Sequence, residues 1–388
     1  MAWALALAIA FAAGVAIVIA LTPRATDRRT LRPNVVVRAF RVVRSVWVRA
    51  LLFPIGWPHL VDLFLGAAAP HVPSAAETVW QRGSTRVLRY VGVVSHKEPV
   101  LVVHSLVTKA SILDLVEGRS LTQNVADNGF DVYLLDWGDV GRTESLLGLS
   151  EYGDVLRAAE QAVLDASGAA RVHVIAYCLG STLVLRDRAA NPRESVASLS
   201  LLAPLADFAV PGGLRPILSW RWLRPSLVLD GDSCIPAAVV RESFHALRPQ
   251  AVAAMRLRVA RRHDPEYCRF YAAFARWAWD QHRLPGALFY DLVDLYRGDA
   301  PFELGALAAI KQPVWVAIAE RDHLVPSGAS HALTTIAGLD VAVVNVASGH
   351  VSMIVGTAAK QTVWPALVSF LERQQPVRRR RRRGVNAP

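Results

Sequence analysis

The strongest constraint on the fold is a repeated alternation between short, continuous apolar runs and longer segments with helical spacing. The runs that we interpret as strands are 85–94, 99–103, 131–137, 171–176, 196–203, 313–319 and 341–346. Strands that are apolar on both faces belong inside a mostly parallel sheet, because helices cover both sides of such a sheet. The sequence therefore predicts an α/β protein with a mostly parallel central sheet and helices on both faces.

One long segment interrupts this alternation. Over 100 residues separate the strand that ends near Ala203 from the strand that begins at Pro313, and they contain many of the aromatic residues but no clear strand. A loop of that length without structure of its own is rare in a compact domain. We therefore interpret residues 208–300 as a helical cap inserted between two parts of the core, residues 76–207 and 301–375.

The two ends of the chain are strongly basic. Residues 24–49 carry a net charge of +7 and residues 378–383 are six arginines, so the rest of a chain with a total charge of +11 is about −2. A DNA-reading domain would carry its basic face on the fold itself, so we expect no specific nucleic-acid partner. Residues 376–388 are predicted to be a disordered, Arg-rich tail.

The beginning of the chain is apolar. Residues 1–21 contain no charged side chain and, as a helix, would be long enough to cross a hydrocarbon core. The arginines follow this run, which favours an uncleaved anchor helix (1–22) and a cytoplasmic catalytic domain over a cleaved signal peptide. Residues 23–75 form a basic linker, in which 34–50 suit either an interfacial helix or a helix packed on the globular domain.

The first candidate for chemistry is a cysteine between a strand and a helix. The sequence Ala176-Tyr177-Cys178-Leu179-Gly180 has the form small-x-nucleophile-x-small, the pattern of a nucleophile elbow. Such a turn exposes the nucleophile above the sheet and directs the next N–H towards an oxyanion at a helix N-terminus. A buried structural thiol is the alternative, since that is the usual role of a lone cysteine.

An acid and a histidine follow the elbow in the order that an α/β-hydrolase triad requires. Asp322 comes after the strand 313–319, and His350 comes after the next strand, 341–346. We predict that both complete a triad with Cys178. The competing histidines are His323, which adjoins the acid, and His104, which follows an early strand and is expected to frame the oxyanion loop or to have no role.

These motifs resemble those of the polyhydroxyalkanoate synthases, from about residue 99 to residue 373. The matching stretches are ILDL, the DW after the next strand, AYCLGST, CIPAAVVRESFHALRP, WDQHRLPGALFYDLVDLY, AERDHLVP and SGHVSMIVG. The resemblance implies an α/β-hydrolase fold, with the family's nucleophile, acid and base at Cys178, Asp322 and His350. It is strongest for the short subunits that act with a second subunit. The family's elbow usually reads Gly-x-Cys-x-Gly-Gly, whereas Ala176 and Ser181 stand here at the outer positions.

What the resemblance implies is an acyltransferase that takes a 3-hydroxyacyl group from coenzyme A onto cysteine and passes it to the hydroxyl of a growing polyester. The backbone N–H groups of Leu179, and of Leu106 or Val107, are the expected oxyanion donors. Acyl-CoA is then a substrate, and neither a cofactor nor a metal is expected. The expected partners are the polyester, a second subunit or a second copy of the chain, and a membrane or granule surface through residues 1–50. A membrane-anchored thioesterase or lipase-like hydrolase with the same triad remains the alternative.

Overall fold

The computed structural model describes residues 74–90, 97–247, 264–300 and 302–376. Its centre is an eight-stranded sheet with the strand order β1-β2-β4-β3-β5-β6-β9-β10. The strands, in chain order, are β1 Ala76–Arg82, β2 Thr85–Tyr90, β3 Val100–Val103, β4 Val132–Asp136, β5 Val172–Tyr177, β6 Val196–Leu202, β9 Val314–Ala319 and β10 Val341–Val346. Within this sheet, the neighbouring strands β4, β3, β5, β6, β9 and β10 all pair in parallel. β2 pairs antiparallel with both β1 and β4.

The interior strands are buried along almost their whole length. Every residue of β3, β5, β6 and β9 is buried. A strand that is covered on both faces is mostly apolar on both faces, which is why these segments read as apolar runs. His173 in β5, and Ser198 and Ser200 in β6, are the polar exceptions. The predicted α/β-hydrolase architecture, with its mostly parallel sheet, is therefore confirmed.

The first strand was not predicted from the sequence. β1 has the sequence AETVWQR, and most of its side chains are exposed because it lies at the edge of the sheet. Gly83, with a φ of +60°, makes the tight turn into β2. An exposed edge strand has little need of apolar residues, so it gives no strong pattern in the sequence.

Helices cover both faces of the sheet. In chain order they are α1 Leu121–Asp127, α2 Leu149–Ser167, α3 Leu179–Ala190, α4 Arg215–Leu218, α5 Ala237–Leu247, α6 Pro265–Trp279, α7 Gly286–Arg297, α8 Ser327–His331, α9 Ser352–Val355 and α10 Trp364–Arg373. One buried cluster joins one face of the sheet to α2, α3 and α7, and a second joins the other face to α1, α9 and α10. The sheet, with the strand ends that carry the predicted triad residues, is thereby held between two packed layers of helices.

One helix is shorter than its sequence pattern predicts. Residues 109–128 have helical spacing, but the α-helix there is limited to α1, preceded by the 3₁₀ helix Ala110–Leu113. Ser120 begins α1, because its hydroxyl accepts a hydrogen bond from the Gln123 N–H at 2.9 Å. An isolated antiparallel bridge between Asp114 and Ser120 closes the intervening loop.

The described parts of residues 208–300 are mainly helical. They contain α4, α5, α6 and α7, together with a two-stranded antiparallel pair, β7 Cys234–Ile235 and β8 Leu284–Pro285, that the sequence did not suggest. Asp264 begins α6 by accepting hydrogen bonds from the N–H groups of Glu266 and Tyr267. The bounds of the cap stay a prediction.

The predicted anchor helix, the basic linker up to residue 73 and the Arg-rich tail from residue 377 lie outside the described residues. Among the residues that the structure does describe, no helix is both long and apolar enough to cross a membrane.

Candidate active site

Cys178 lies at the turn between β5 and α3. Its φ of 54° and ψ of −126° are values that a residue with a side chain rarely adopts. The Cys178 N–H donates to the carbonyl of Leu202 on the neighbouring strand at 2.9 Å, so the sheet itself holds the turn. This is the strained geometry of a nucleophile elbow, and it leaves the thiol only partly buried.

Close packing around the elbow explains why its outer residues are small. A side chain at Gly180 would place its Cβ 2.5 Å from the carbonyl oxygen of His104 and 2.8 Å from that of Val103, so α3 and the end of β3 approach too closely for any side chain. Ser181, where the family usually has glycine, is fully buried. Its hydroxyl donates to the carbonyl of Ala176 at 2.8 Å, so the departure from the family pattern is accommodated.

Asp322 and His350 meet across the ends of β9 and β10. His350 Nδ1 lies 2.5 Å from Asp322 Oδ2, and both side chains are buried. The other carboxylate oxygen, Oδ1, accepts hydrogen bonds from the N–H groups of Leu324 at 2.8 Å and Val325 at 3.0 Å. The carboxylate is therefore fixed by its own turn and directed at one imidazole nitrogen.

The charges at the site favour a protonated imidazole. Burial lowers the pKa of His350, but the negative charges of Cys178 and Asp322, and the hydrogen bonds to both, raise that pKa to about 10. Burial raises the pKa of Asp322, yet the charge of His350 and the hydrogen bonds lower it on balance. His350 thus hydrogen-bonds to Asp322, and its pKa is raised by the charge of Cys178.

His104 has different surroundings. It is fully buried, its Nε2 lies 3.0 Å from the hydroxyl of Thr108, and its carbonyl accepts a hydrogen bond from the indole of Trp137 at 3.0 Å. Burial and the nearby charge of His282 lower the pKa of His104 to about 3, so this imidazole is neutral at pH 7. These contacts tie the start of the loop after β3 to its neighbours.

Two of the three expected oxyanion donors have a backbone N–H group without a hydrogen-bond acceptor among the described residues. Leu179 is the first residue of α3, where helical N–H groups lack intrahelical acceptors. The Leu106 N–H has no acceptor in the described part of the chain, whereas the Val107 N–H donates to Ser105 Oγ at 3.3 Å. Leu179 and Leu106 are therefore the better placed pair, and the oxyanion hole itself stays a prediction.

Two tyrosines at the site were not predicted. The ring of Tyr177 lies between those of His104 and His350, with centroids 5.8 Å and 5.0 Å away. Burial and the charge of Cys178 raise the pKa of Tyr296, on α7. Tyr177 is one of the five residues of the elbow sequence, so its place beside Cys178 could have been predicted. Nothing in the sequence around Tyr296 indicates that this residue belongs to the site.

The helix α6 reaches the loop after β3. The indole N–H of Trp277 donates to the carbonyl of Lys109 at 2.9 Å, and Lys109 Nζ lies 2.8 Å from Asp280. The His282 Nδ1–H donates a hydrogen bond to the carbonyl of Gly138 at 3.2 Å. Within the described residues, no group of three or more His, Cys, Asp or Glu side chains is arranged to hold a metal ion.

The fold and this site together define the class of protein. A family model described as alpha/beta hydrolase fold matches residues 98–357, and the chain belongs to that family. Among curated proteins, the chain is similar to the poly(3-hydroxyalkanoate) polymerase subunit PhaC of Haloferax mediterranei, with 28% identity over 320 residues, 77% of this chain and 64% of that protein. It is also similar to the subunit of the same name from Thiocystis violacea, with 26% identity over 315 residues, 77% of this chain and 88% of that protein.

The resemblance to the polyhydroxyalkanoate synthases is thereby confirmed. The chain spans 64% and 60% of the length of its relatives from Haloferax mediterranei and Haloarcula marismortui. Among solved structures, a hydrolase from Pseudomonas aeruginosa PA01 has a TM-score of 0.49 and 17% identity, covering 76% of this chain and 98% of that one.

Proposed function

We propose that this chain is an acyltransferase of the poly(3-hydroxyalkanoate) polymerase type, with Cys178 as its nucleophile. The observation that carries the proposal is the position of Cys178 on a strained turn, together with a buried His350 that is held by Asp322 at 2.5 Å and whose pKa is raised by the charge of Cys178. Nucleophile, base and orienting acid are the three parts of a covalent acyl-transfer site. The similarity to polymerase subunits supports the choice of reaction.

In the first step the Cys178 sulfur attacks the thioester carbonyl of a 3-hydroxyacyl-CoA. Because His350 is already protonated, its imidazolium donates a proton to the departing coenzyme A sulfur. Asp322 holds the imidazole with Nε2 towards the thiol and stabilises its positive charge. The N–H groups of Leu179 and Leu106 stabilise the oxyanion.

In the second step the hydroxyl of another hydroxyacyl group attacks the Cys178 thioester. His350 takes the hydroxyl proton, an ester forms, and the Cys178 sulfur leaves the acyl group, so that the protonated imidazole of the resting site is regenerated. A cysteine suits this chemistry because its thioester keeps the energy of the coenzyme A thioester until the hydroxyl arrives. The aromatic residues of the cap would favour transfer over hydrolysis by keeping water from the thioester.

The proposed partners follow from an insoluble product. A second synthase subunit or a second copy of the chain assists polymerisation, and the protein works at a granule or membrane surface on the cytoplasmic side. Residues 1–50, with their apolar run and arginines, are the proposed attachment to that surface.

The test is to incubate the full chain with 3-hydroxybutyryl-CoA and to measure coenzyme A release, polymer and free 3-hydroxybutyrate in one reaction. Polymer that accounts for most of the released coenzyme A is expected from the wild type. Cys178→Ala should release none, while Cys234→Ala, at a buried thiol away from the elbow, serves as the matched control. Release of free acid without polymer would instead identify a hydrolase with the same site.

A further inference from the structure

A short segment near α4 exposes large apolar side chains. Ile217, Trp220 and Trp222 are exposed by 49%, 40% and 68%, within six residues of each other. We call residues 216–224 the Trp–Arg surface, because Arg221 and Arg224 are also exposed there. Single exposed apolar residues need no explanation, but a cluster of them marks an interaction site.

The charge of this surface is of one sign. Residues 208–229 contain three arginines and no Asp or Glu. Arg221 and Arg224 form no ion pair within the described ranges of the chain. Exposed tryptophans beside unpaired arginines favour a partner that is apolar in its interior and anionic at its surface.

The surface is held in place from beneath. Arg215 donates to the carbonyl of Tyr296 at 3.1 Å, and Arg297 donates to the carbonyls of Trp220 at 2.8 Å and Leu223 at 2.5 Å. Because two arginines fix the backbone, the exposed side chains are presented on an ordered support. Little ordering is therefore needed when a partner binds.

The surface packs on the same side of the sheet as the reacting thiol. Leu218, the buried residue of the Trp–Arg surface, belongs to the apolar cluster that also contains Tyr296 and against which Cys178 packs.

We propose that the Trp–Arg surface docks this protein on an anionic lipid layer. Ile217, Trp220 and Trp222 enter the boundary between headgroups and acyl chains, where tryptophan is enriched. Arg221 and Arg224 bind the lipid phosphates. This contact is separate from residues 1–50, and it does not depend on the proposed acyl transfer.

The first experiment measures flotation of the full chain with vesicles of phosphatidylcholine alone or mixed with phosphatidylglycerol. Trp220→Ala/Trp222→Ala and Arg221→Glu/Arg224→Glu are each expected to weaken binding to the anionic vesicles by roughly tenfold or more. Leu146→Ala is the control, since Leu146 is 76% exposed outside the Trp–Arg surface. Equal loss in the control would overturn the proposal.

The second experiment locates the contact even if other segments also bind lipid. Brominated lipids quench only tryptophans that enter the bilayer, so Trp220→Phe/Trp222→Phe should lose a large part of the quenching of the wild type. Trp279→Phe removes a tryptophan that is 37% exposed elsewhere and should leave the quenching unchanged.

Three results would contradict the assignment. Unchanged quenching in the double variant would show that these tryptophans stay outside the lipid. Equal binding to uncharged polyester particles would identify the polymer as the partner. Shielding of both tryptophans from an aqueous quencher on self-association would identify a second copy of the chain. None of these measurements requires turnover, so they remain distinct from the test of the proposed function.

Discussion

The carboxylate of Asp322 is shared between its own turn and His350. Oδ1 accepts two backbone hydrogen bonds, from Leu324 and Val325, whereas Oδ2 faces His350 Nδ1 at 2.5 Å. One oxygen therefore maintains the loop after β9, and the other orients the imidazole. This division allows the two roles to be separated by substitution.

Asp322→Asn should keep the fold and lose most of the activity. The Asn carbonyl can still accept from Leu324 and Val325, but its NH₂ group would face the N–H of His350 and disfavour the tautomer needed at Cys178. We expect kcat to fall by roughly 10³–10⁴-fold with little change in the unfolding midpoint. Stopped-assay CoA release and urea unfolding provide the two measurements, and a variant that retains kcat would exclude Asp322 from the proposed triad.

Cys178 should be the most reactive of the three thiols. It is partly exposed on a strained turn, whereas Cys234 and Cys268 are buried. Limited iodoacetamide treatment should label Cys178 first and inactivate the protein in proportion to the label, as mass spectrometry of peptides would show. Saturating labelling of Cys178 with activity intact would contradict its role as nucleophile.

The stabilising contribution of His350 should depend on pH with a defined sign. Its pKa is raised from about 6.5 in the unfolded chain to about 10 in the folded protein, so its contribution is complete below the unfolded value and is lost as the pH rises through about 10. The difference in unfolding free energy between the wild type and His350→Gln should therefore narrow between pH 7 and pH 10. Urea titrations across that range test it, and a constant difference would mean that His350 is not held as a cation.

Gly180 should tolerate no side chain. Gly180→Ala would place a methyl group against the backbone carbonyls of Val103 and His104, and we expect a loss of about 1–3 kcal/mol of unfolding free energy. Gly305→Ala is the matched control, because nothing lies within 4 Å of the corresponding Cβ. Similar losses in both variants would argue against the close approach of α3 to β3.

Substitution of Trp277 and substitution of Trp279 should change the ratio of polymer to free hydroxyacid to different extents. Trp277 binds the Lys109 carbonyl and packs on Phe274, whereas Trp279 is exposed and contacts Arg241. If the cap excludes water from the thioester, Trp277→Ala should shift the products from polymer towards free hydroxyacid, and Trp279→Ala should do so much less. Chromatography of the two products measures the ratio, and an unchanged ratio in Trp277→Ala would remove the support for water exclusion by this helix.

The sequence alone determined most of the sheet. β9 is a continuous apolar run, and β5 and β6 are mostly apolar, because both faces of these strands are buried. Their local composition therefore reports their place in the fold. The positions of Cys178, Asp322 and His350 at strand ends were also visible, since strand order and chain order together bring such ends to one edge.

Only the tertiary structure decided how these residues are arranged. The hydrogen bond between Asp322 and His350 depends on contact between two separate strand ends. The effect of the Cys178 charge on the pKa of Tyr296 likewise depends on segments far apart in the chain. The edge strand β1 gives little pattern in the sequence because most of its side chains are exposed, while its backbone pairs with β2. Periodicity records which faces are buried, whereas hydrogen-bond partners and charges are set by whatever the fold brings to the same place.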